Sequence, residues 1–229
     1  MGIISYQKAL KHQVEVQKEL ISRKLMIRDS LNLEEMELVH SLFFCEHKPV
    51  YTLGRSGSVD NLLFNEEQLS SKDIAFYKTN RGGDITYHGP GQLVGYPVFD
   101  LDDFYHDVHR YVRDIEEVII KTIGEFGIKS QRIEGLTGVW IKGNNGKADR
   151  KICAIGVHIS RWVTLHGFAL NINTDLEYFN GIVPCGISDT SKEVTSMQME
   201  LGKRIEFDDV KRSLLKNLSE VFGVVISTD

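Results

Sequence analysis

Gly138-Val139-Trp140-Ile141, the turn Gly143-Asn144-Asn145-Gly146 and Ile152-Cys153-Ala154-Ile155 form the stretch that decides the fold. Two short runs rich in β-branched and aromatic residues flank a glycine–asparagine turn signal, which predicts a β-hairpin. Trp162 to Asn171 reads as a third strand after them. Upstream, residues 105–126 carry Val108, Val112, Ile115, Ile119 and Phe126 at helical steps, and Gly127 suits the left-handed position past a helix end. Downstream, residues 208–222 predict a helix with Asp208 as cap, Val210, Leu214 and Leu218 on one face, and Gly223 beyond. A further helix is expected over 5–29, capped by Ser5, with Leu10, Val14, Ile21 and Leu25 near one face. Strands are expected at 40–46, 50–53, 74–77 and 96–99, with loop and short helix from Asn65 to Asp73. Strands and helices do not alternate regularly. The fold class expected is therefore α/β of the α+β type, a mixed or antiparallel sheet with packed helices, rather than a doubly wound parallel sheet. No linker or repeat divides the chain, so one domain over 1–229 is expected.

The 229 residues are 41% apolar and 26% charged, globular proportions that argue against disorder and coiled coil. A net charge of -5 lacks the basic footprint of a nucleic-acid binder. No apolar run approaches the ~18 residues that span a bilayer. The N-terminus lacks a signal-peptide core, and Tyr6 stands where a myristoylation signal wants Ser or Thr. A soluble cytoplasmic protein is the expectation. Three cysteines without a C-x-x-C pair suggest neither a disulfide framework nor a thiolate zinc site.

Three segments carry chemistry. In Arg81-Gly82-Gly83-Asp84-Ile85-Thr86-Tyr87-His88-Gly89-Pro90-Gly91-Gln92-Leu93-Val94-Gly95 the glycines permit close backbone approach to a ligand. Val94 stands where a dinucleotide fingerprint needs its third glycine, and no Gly-Lys-Ser/Thr follows for a P-loop. The segment reads as a pocket-lining loop or as a long turn between strands. In Lys151-Ile152-Cys153-Ala154-Ile155-Gly156-Val157-His158, alternation places Lys151, Cys153 and Ile155 on one face. Lys151 is then either an exposed strand end or a working amine. In Val183-Pro184-Cys185-Gly186-Ile187, the thiol sits between Pro and Gly with little side-chain cover, which reads as an accessible nucleophile or as a buried structural cysteine. Cys45 and Cys153 fall inside apolar strands and read as core. His158 and His166 lack a zinc spacing. His88, His158 and His166 are candidates by type for a Cys–His pair, but no thiol-protease signature surrounds Cys185.

Together these segments resemble the lipoyl(octanoyl) transferases. The resemblance rests on Arg81 to Pro97, Gly138-Val139-Trp140, Lys151 to Ser160, Thr164-Leu165-His166-Gly167-Phe168-Ala169-Leu170-Asn171, Ile182 to Ile187, and Val194-Thr195-Ser196, in order, over about residues 40–225. It implies the fold of the biotin/lipoate protein ligase catalytic domain. It implies transfer of octanoyl from acyl carrier protein to a lysine of lipoyl domains, those of 2-oxoacid dehydrogenases and the glycine cleavage H protein. It also implies Cys185 as acyl-thioester nucleophile, Lys151 as its partner, and acyl-binding elements at Arg81 to His88, Ala154-Ile155-Gly156 and Gly167-Phe168-Ala169. No cofactor, metal, nucleic acid or membrane is expected, and a monomer is. His158 departs from the family's frequent arginine. Backbone N–H groups near Gly186 or at Gly82-Gly83 are candidate oxyanion donors. Arg55, Lys78, Arg81 and Arg161 are candidates for a basic surface that meets acidic carriers. An ATP-dependent ligase of the same fold and a lipoyl-domain amidotransferase are the alternatives.

Overall fold

The computed structural model describes residues 2–29, 39–144, 146–183 and 192–227. In chain order the strands are β1 (Ile3–Ile4), β2 (Ser41–His47), β3 (Val50–Leu53), β4 (Ala75–Lys78), β5 (Ile85–His88), β6 (Gln92–Val98), β7 (Gln131–Ile133), β8 (Leu136–Ile141), β9 (Asp149–Ser160), β10 (Val163–Asn171) and β11 (Lys192–Val194). The helices are α1 (Tyr6–Asp29), α2 (Glu66–Ser71), α3 (Val108–Glu125), α4 (Met197–Leu201) and α5 (Phe207–Phe222). Among the described residues, one sheet runs β1-β2-β6-β10-β9-β8-β7, with β11 beside β9, and a smaller one runs β4-β3-β5. Most pairings are antiparallel; β1–β2, β3–β4 and β9–β11 are parallel, so both sheets are mixed.

The large sheet is covered on both faces. On one, α3 and α5 bury Ile115, Val118, Ile119, Ile123, Val210, Leu214 and Leu218 against Val139, Ile152, Cys153 and Leu170. α3 starts where the Asp107 side chain accepts the Arg110 N–H, and stops before Gly127, whose φ is +86°. α5 starts differently from the expectation. Glu206 precedes it without a side-chain cap, and Asp208 lies inside the first turn with Asp209, where carboxylates complement the helix dipole.

On the other face lies α1, with the Ser5 hydroxyl accepting the Lys8 N–H. Its buried stripe is Tyr6, Ala9, Gln13, Gln17 and Leu20, one position round from the expected apolar face. Two glutamines win burial because β10 needs them. Gln13 Oε1 accepts the His166 N–H, and Gln17 donates to the Val163 carbonyl. Leu10, Val14, Ile21 and Leu25 are only half-buried.

The glycine-rich segment is not one loop. It holds a loop to Asp84, all of β5, a tight turn at Gly89-Pro90-Gly91, and the start of β6. β6 is buried on both faces, so its sequence does not alternate. Around the small sheet, Tyr51, Leu53, Ile85, Tyr87, Phe179 and Ile182 form a second core.

Candidate active site

A cavity of about 410 Å³ opens between the small sheet and strands β9 and β10. That is the size of an ordinary small-ligand pocket, roughly 300–1,000 Å³. The residues from Arg81 to Thr86, with His88, form one wall; Lys151, Ala154-Ile155-Gly156 and Gly167-Phe168-Ala169 form the other. Tyr87 does not border it. Its side chain points into the second core, stacked on Tyr178 with ring centroids 4.9 Å apart. Cys185 and Gly186 lie outside the described residues.

The glycine wall is fixed by its own backbone. Arg55 N–H donates to the Arg81 carbonyl (2.9 Å), Ser56 N–H to Gly83 (3.2 Å), and Gly82 N–H to Val157 (2.9 Å). That last bond occupies an N–H expected among the oxyanion donors. Arg81 is buried, not part of a charged surface; its guanidinium donates to the Thr52 carbonyl and hydroxyl and to the Gly82 carbonyl. Arg55, Lys78 and Arg161 are exposed. Arg55 shares an open recess with His158, whose pKa burial and Arg55 both hold down.

Lys151 reaches the cavity because β9 breaks step. Val139 pairs with Cys153 but Trp140 pairs with Lys151, so Ile152 is the extra residue of a β-bulge. Ile152 and Cys153 both turn into the core, and the expected shared face of Lys151 and Cys153 is lost. Lys151 is half-buried, with Nζ 4.5 Å from the Trp140 ring centroid, a cation–π contact. β11 lies directly beside it, Val194 pairing with Lys151. The described chain ends at Val183 and resumes at Lys192, the first residue of β11.

The far end of the cavity gathers polar side chains that the sequence did not single out, Tyr6, Gln92 and Tyr96, together with His88 and His166. His88 donates from Nδ1 to Gln92 Oε1 at 2.8 Å. His47, behind them, donates from Nδ1 to the Ile4 carbonyl (3.1 Å) and accepts from the Tyr96 hydroxyl at 2.7 Å. Burial holds all three histidine pKa values down: His47 to about 4, His166 to about 3 with help from Arg81, and His88 well below its ordinary value. Burial pushes the Tyr6 phenol up to about 12. Tyr6 reaches the site only through the packing of α1 on the sheet, which leaves no local signal, whereas Tyr96 is carried there by β6.

The two thiols read as core are buried and free of disulfides. Burial pushes Cys45 up to about 12 and raises Cys153 as well, so neither is an available thiolate. Among the described residues no cluster of three metal-ligating side chains occurs, and no helix is long and apolar enough to cross a membrane.

Comparison with known proteins adds the identity of this arrangement. Residues 24–219 match the lipoyl protein ligase A/B catalytic domain. An octanoyltransferase of Cytophaga hutchinsonii is 53% identical over 226 residues, covering 99% of this chain and 92% of the relative. An octanoyltransferase of Flavobacterium johnsoniae is 50% identical, covering 99% and 96%. Among solved structures, a bipartite lipoate protein ligase of Thermoplasma acidophilum aligns with TM-score 0.68 at 17% identity, over 96% of this chain and 82% of that one. Lipoate-protein ligase A bound with ATP aligns with TM-score 0.67 at 19% identity, over 96% and 83%. At those identities the likeness shows the fold, the mixed α+β architecture expected from the sequence. The matches of near full length show more: the chain belongs to the lipoyl protein ligase A/B catalytic-domain family and, within it, to the octanoyltransferases, which are acyltransferases.

Proposed function

We propose that the chain is a single catalytic domain that moves an octanoyl group from acyl carrier protein to a lysine of lipoyl domains, through a thioester on Cys185. The observation that carries this reading is the place of Lys151, half-buried at the edge of a largely apolar cavity and paired with the strand that follows the Cys185 segment. The acceptors are the lipoyl domains of 2-oxoacid dehydrogenases and the glycine cleavage H protein. In this reading the enzyme works in the cytoplasm as a monomer.

A thioester donor and a cysteine are matched chemically. The Cys185 thiolate attacks the thioester carbonyl, the bond to the carrier sulfur breaks, and the leaving thiolate takes a proton from the Lys151 ammonium. One thioester replaces another, so no ATP is consumed. The neutral amine of the acceptor lysine then attacks the acyl-enzyme. A C–N bond forms, Cys185 leaves as thiolate, and Lys151 takes the amine's proton. The pair returns to ammonium and thiolate, and the amide makes the second step downhill. Only thiolate attacks well, and a nearby cation favours it. The Trp140 ring in turn favours the charged form of Lys151. The two groups titrate as a unit, so no single value belongs to either.

Intact-mass measurement after incubation with octanoyl-carrier protein tests the reading. One octanoyl adduct is expected without ATP, labile to hydroxylamine and absent in Cys185→Ala. An unmodified wild-type chain, or equal labelling of the variant, overturns it. An ATP requirement favours the ligase alternative.

A further inference from the structure

Glu116 lies on α3 beside the core residues Ile115 and Val118 and is fully buried, a place glutamate seldom takes unless paired. Its carboxylate is met from three elements. Oε1 accepts the Gly138 N–H of β8 at 2.9 Å. Oε2 accepts from Arg113 of α3 at 2.6 Å and from Arg132 of β7 at 3.1 Å. A buried ion pair is weak support for stability, because an apolar residue of similar volume often does as well. What the carboxylate alone supplies is an acceptor at a fixed place, and that place is Gly138.

Strand β8 changes register against both neighbours there. Toward β7, Gln131 pairs with Trp140 and Ile133 with Leu136, so Thr137, Gly138 and Val139 stand opposite Arg132 alone. Toward β9, Val139 pairs with Cys153 and Trp140 with Lys151, which makes the bulge at Ile152. Gly138 has φ +117°, a backbone that a side chain would strain. A Cβ there would stand 2.5 Å from the Cys153 carbonyl oxygen and 3.7 Å from Lys151 Cε, so the lysine stem packs over a position without a side chain. With its N–H on Glu116, Gly138 is held out of the ladder. Released, that N–H would need another acceptor, and the backbone of β9 is the nearest. Closing the ladder without the bulge turns residue 151 to the other face of the sheet, because side chains alternate along a strand.

We propose that Glu116 is a positioning residue for the Lys151 amine: through Gly138 it holds the register break that brings the amine to the cavity. The idea rests on Lys151 acting as acid and base in the acyl transfer proposed above. Glu116 does not line the cavity and touches no substrate; it acts on the lysine through the backbone of β8.

The experiment follows formation of the octanoyl adduct by intact mass at saturating octanoyl-carrier protein, in the full chain and its variants. A misplacement of about 1 Å can cost roughly a hundredfold in rate. Glu116→Met fills the same space without an acceptor. It is expected to form the adduct at least about tenfold more slowly, with the half-saturating carrier concentration unchanged. Gly138→Ala disfavours the positive φ and should lose rate in the same way; it carries the test if the methionine variant does not fold. The decisive step joins Lys151→Met to Glu116→Met or, failing that, to Gly138→Ala. Because Glu116 works through the lysine, its loss should add nothing once the amine is gone, and the double variant should match Lys151→Met alone. Losses that multiply show a general weakening of the fold and overturn the proposal. A wild-type rate in either folded single variant overturns it too. If the wild type forms no adduct, or Lys151→Met forms it at the wild-type rate, the failure belongs to the acyl-transfer reading instead.

Discussion

Strands β9 and β10 run antiparallel along the same cavity, and each departs from regular strand geometry once. The bulge at Ile152 brings a half-buried lysine to the cavity; the left-handed residue of β10, His166, brings a buried imidazole to it. What differs is the charge each place permits. Lys151 keeps partial access to water and lies over the Trp140 ring, both of which favour an ammonium. His166 is sealed, with Arg81 near, so its ring stays neutral. A local break in the strand is how this fold aims a side chain at the cavity. Burial then decides whether that side chain is an acid or a neutral acceptor.

The sharpest way to break the comparison is to remove the charged end. Lys151→Met keeps the length and apolar stem of the side chain but loses the amine. Proton transfer by a positioned side chain contributes roughly 10²–10⁴-fold. Turnover of octanoyl-carrier protein at neutral pH is expected to fall by a factor in that range, with the circular dichroism spectrum unchanged. Turnover within threefold of wild type would remove Lys151 from the chemistry and leave its bulge unexplained.

Acid probes the neutral end. His47 and His166 have folded pKa values of about 4 and about 3, below the ordinary 6.5, and His88 is lowered too. The neutral rings stabilise the fold fully above pH 6.5, and that contribution drains away as pH falls through the folded values. His47 alone accounts for about 3 kcal/mol between pH 6.5 and 4. Its protonation would turn an N–H toward the Tyr96 hydroxyl it now accepts from. Urea midpoints are expected to drop steeply from pH 7 to pH 4.5, and His47→Asn should flatten the slope. A flat wild-type profile would mean that these rings are not neutral in the fold.

These two ends differ in how far the sequence displayed them. The hairpin of β8 and β9, strand β10 and helices α3 and α5 were legible because period and turn residues agree locally. β5 and the first half of β6 hid inside the glycine-rich segment, since β6 is buried on both faces and its turn is only Gly89-Pro90-Gly91; the end of β6 was legible as the apolar run from Tyr96. The face of α1 was misread because Gln13 and Gln17 are chosen by the backbone of β10, a partner about 150 residues away. In the site, Lys151 was visible through the motif around it, but the bulge that delivers it depends on pairing with β8. His166 was visible as a candidate by type for a Cys–His pair and inside the Thr164–Asn171 motif, but nothing local marked its backbone. Its left-handed backbone and its contacts with Asn80 and Gln13 arise from packing across elements.

The smallest expected effect concerns the floor between the two ends, where Gly156 of β9 pairs directly with Gly167 of β10. Each glycine lets another backbone pass close by. A Cβ on Gly167 would stand 2.1 Å from the Gly95 carbonyl oxygen, and one on Gly156 would stand 2.8 Å from that of Gly82. Gly95 is fixed in the middle of β6, paired with both β2 and β10, and has no room to withdraw. Gly82 belongs to a loop, held to β9 by one hydrogen bond to Val157. Overpacking of this kind costs about 1–3 kcal/mol. Gly167→Ala should fall at the upper end and Gly156→Ala at the lower, read as shifts in urea midpoint at constant m-value. Because Gly156→Ala pushes on the loop that forms the cavity wall, it should also raise KM for the acyl donor more than it lowers stability. Equal stability losses for the two variants would show that the loop is as rigid as the sheet, and that β9 is no more yielding than β10.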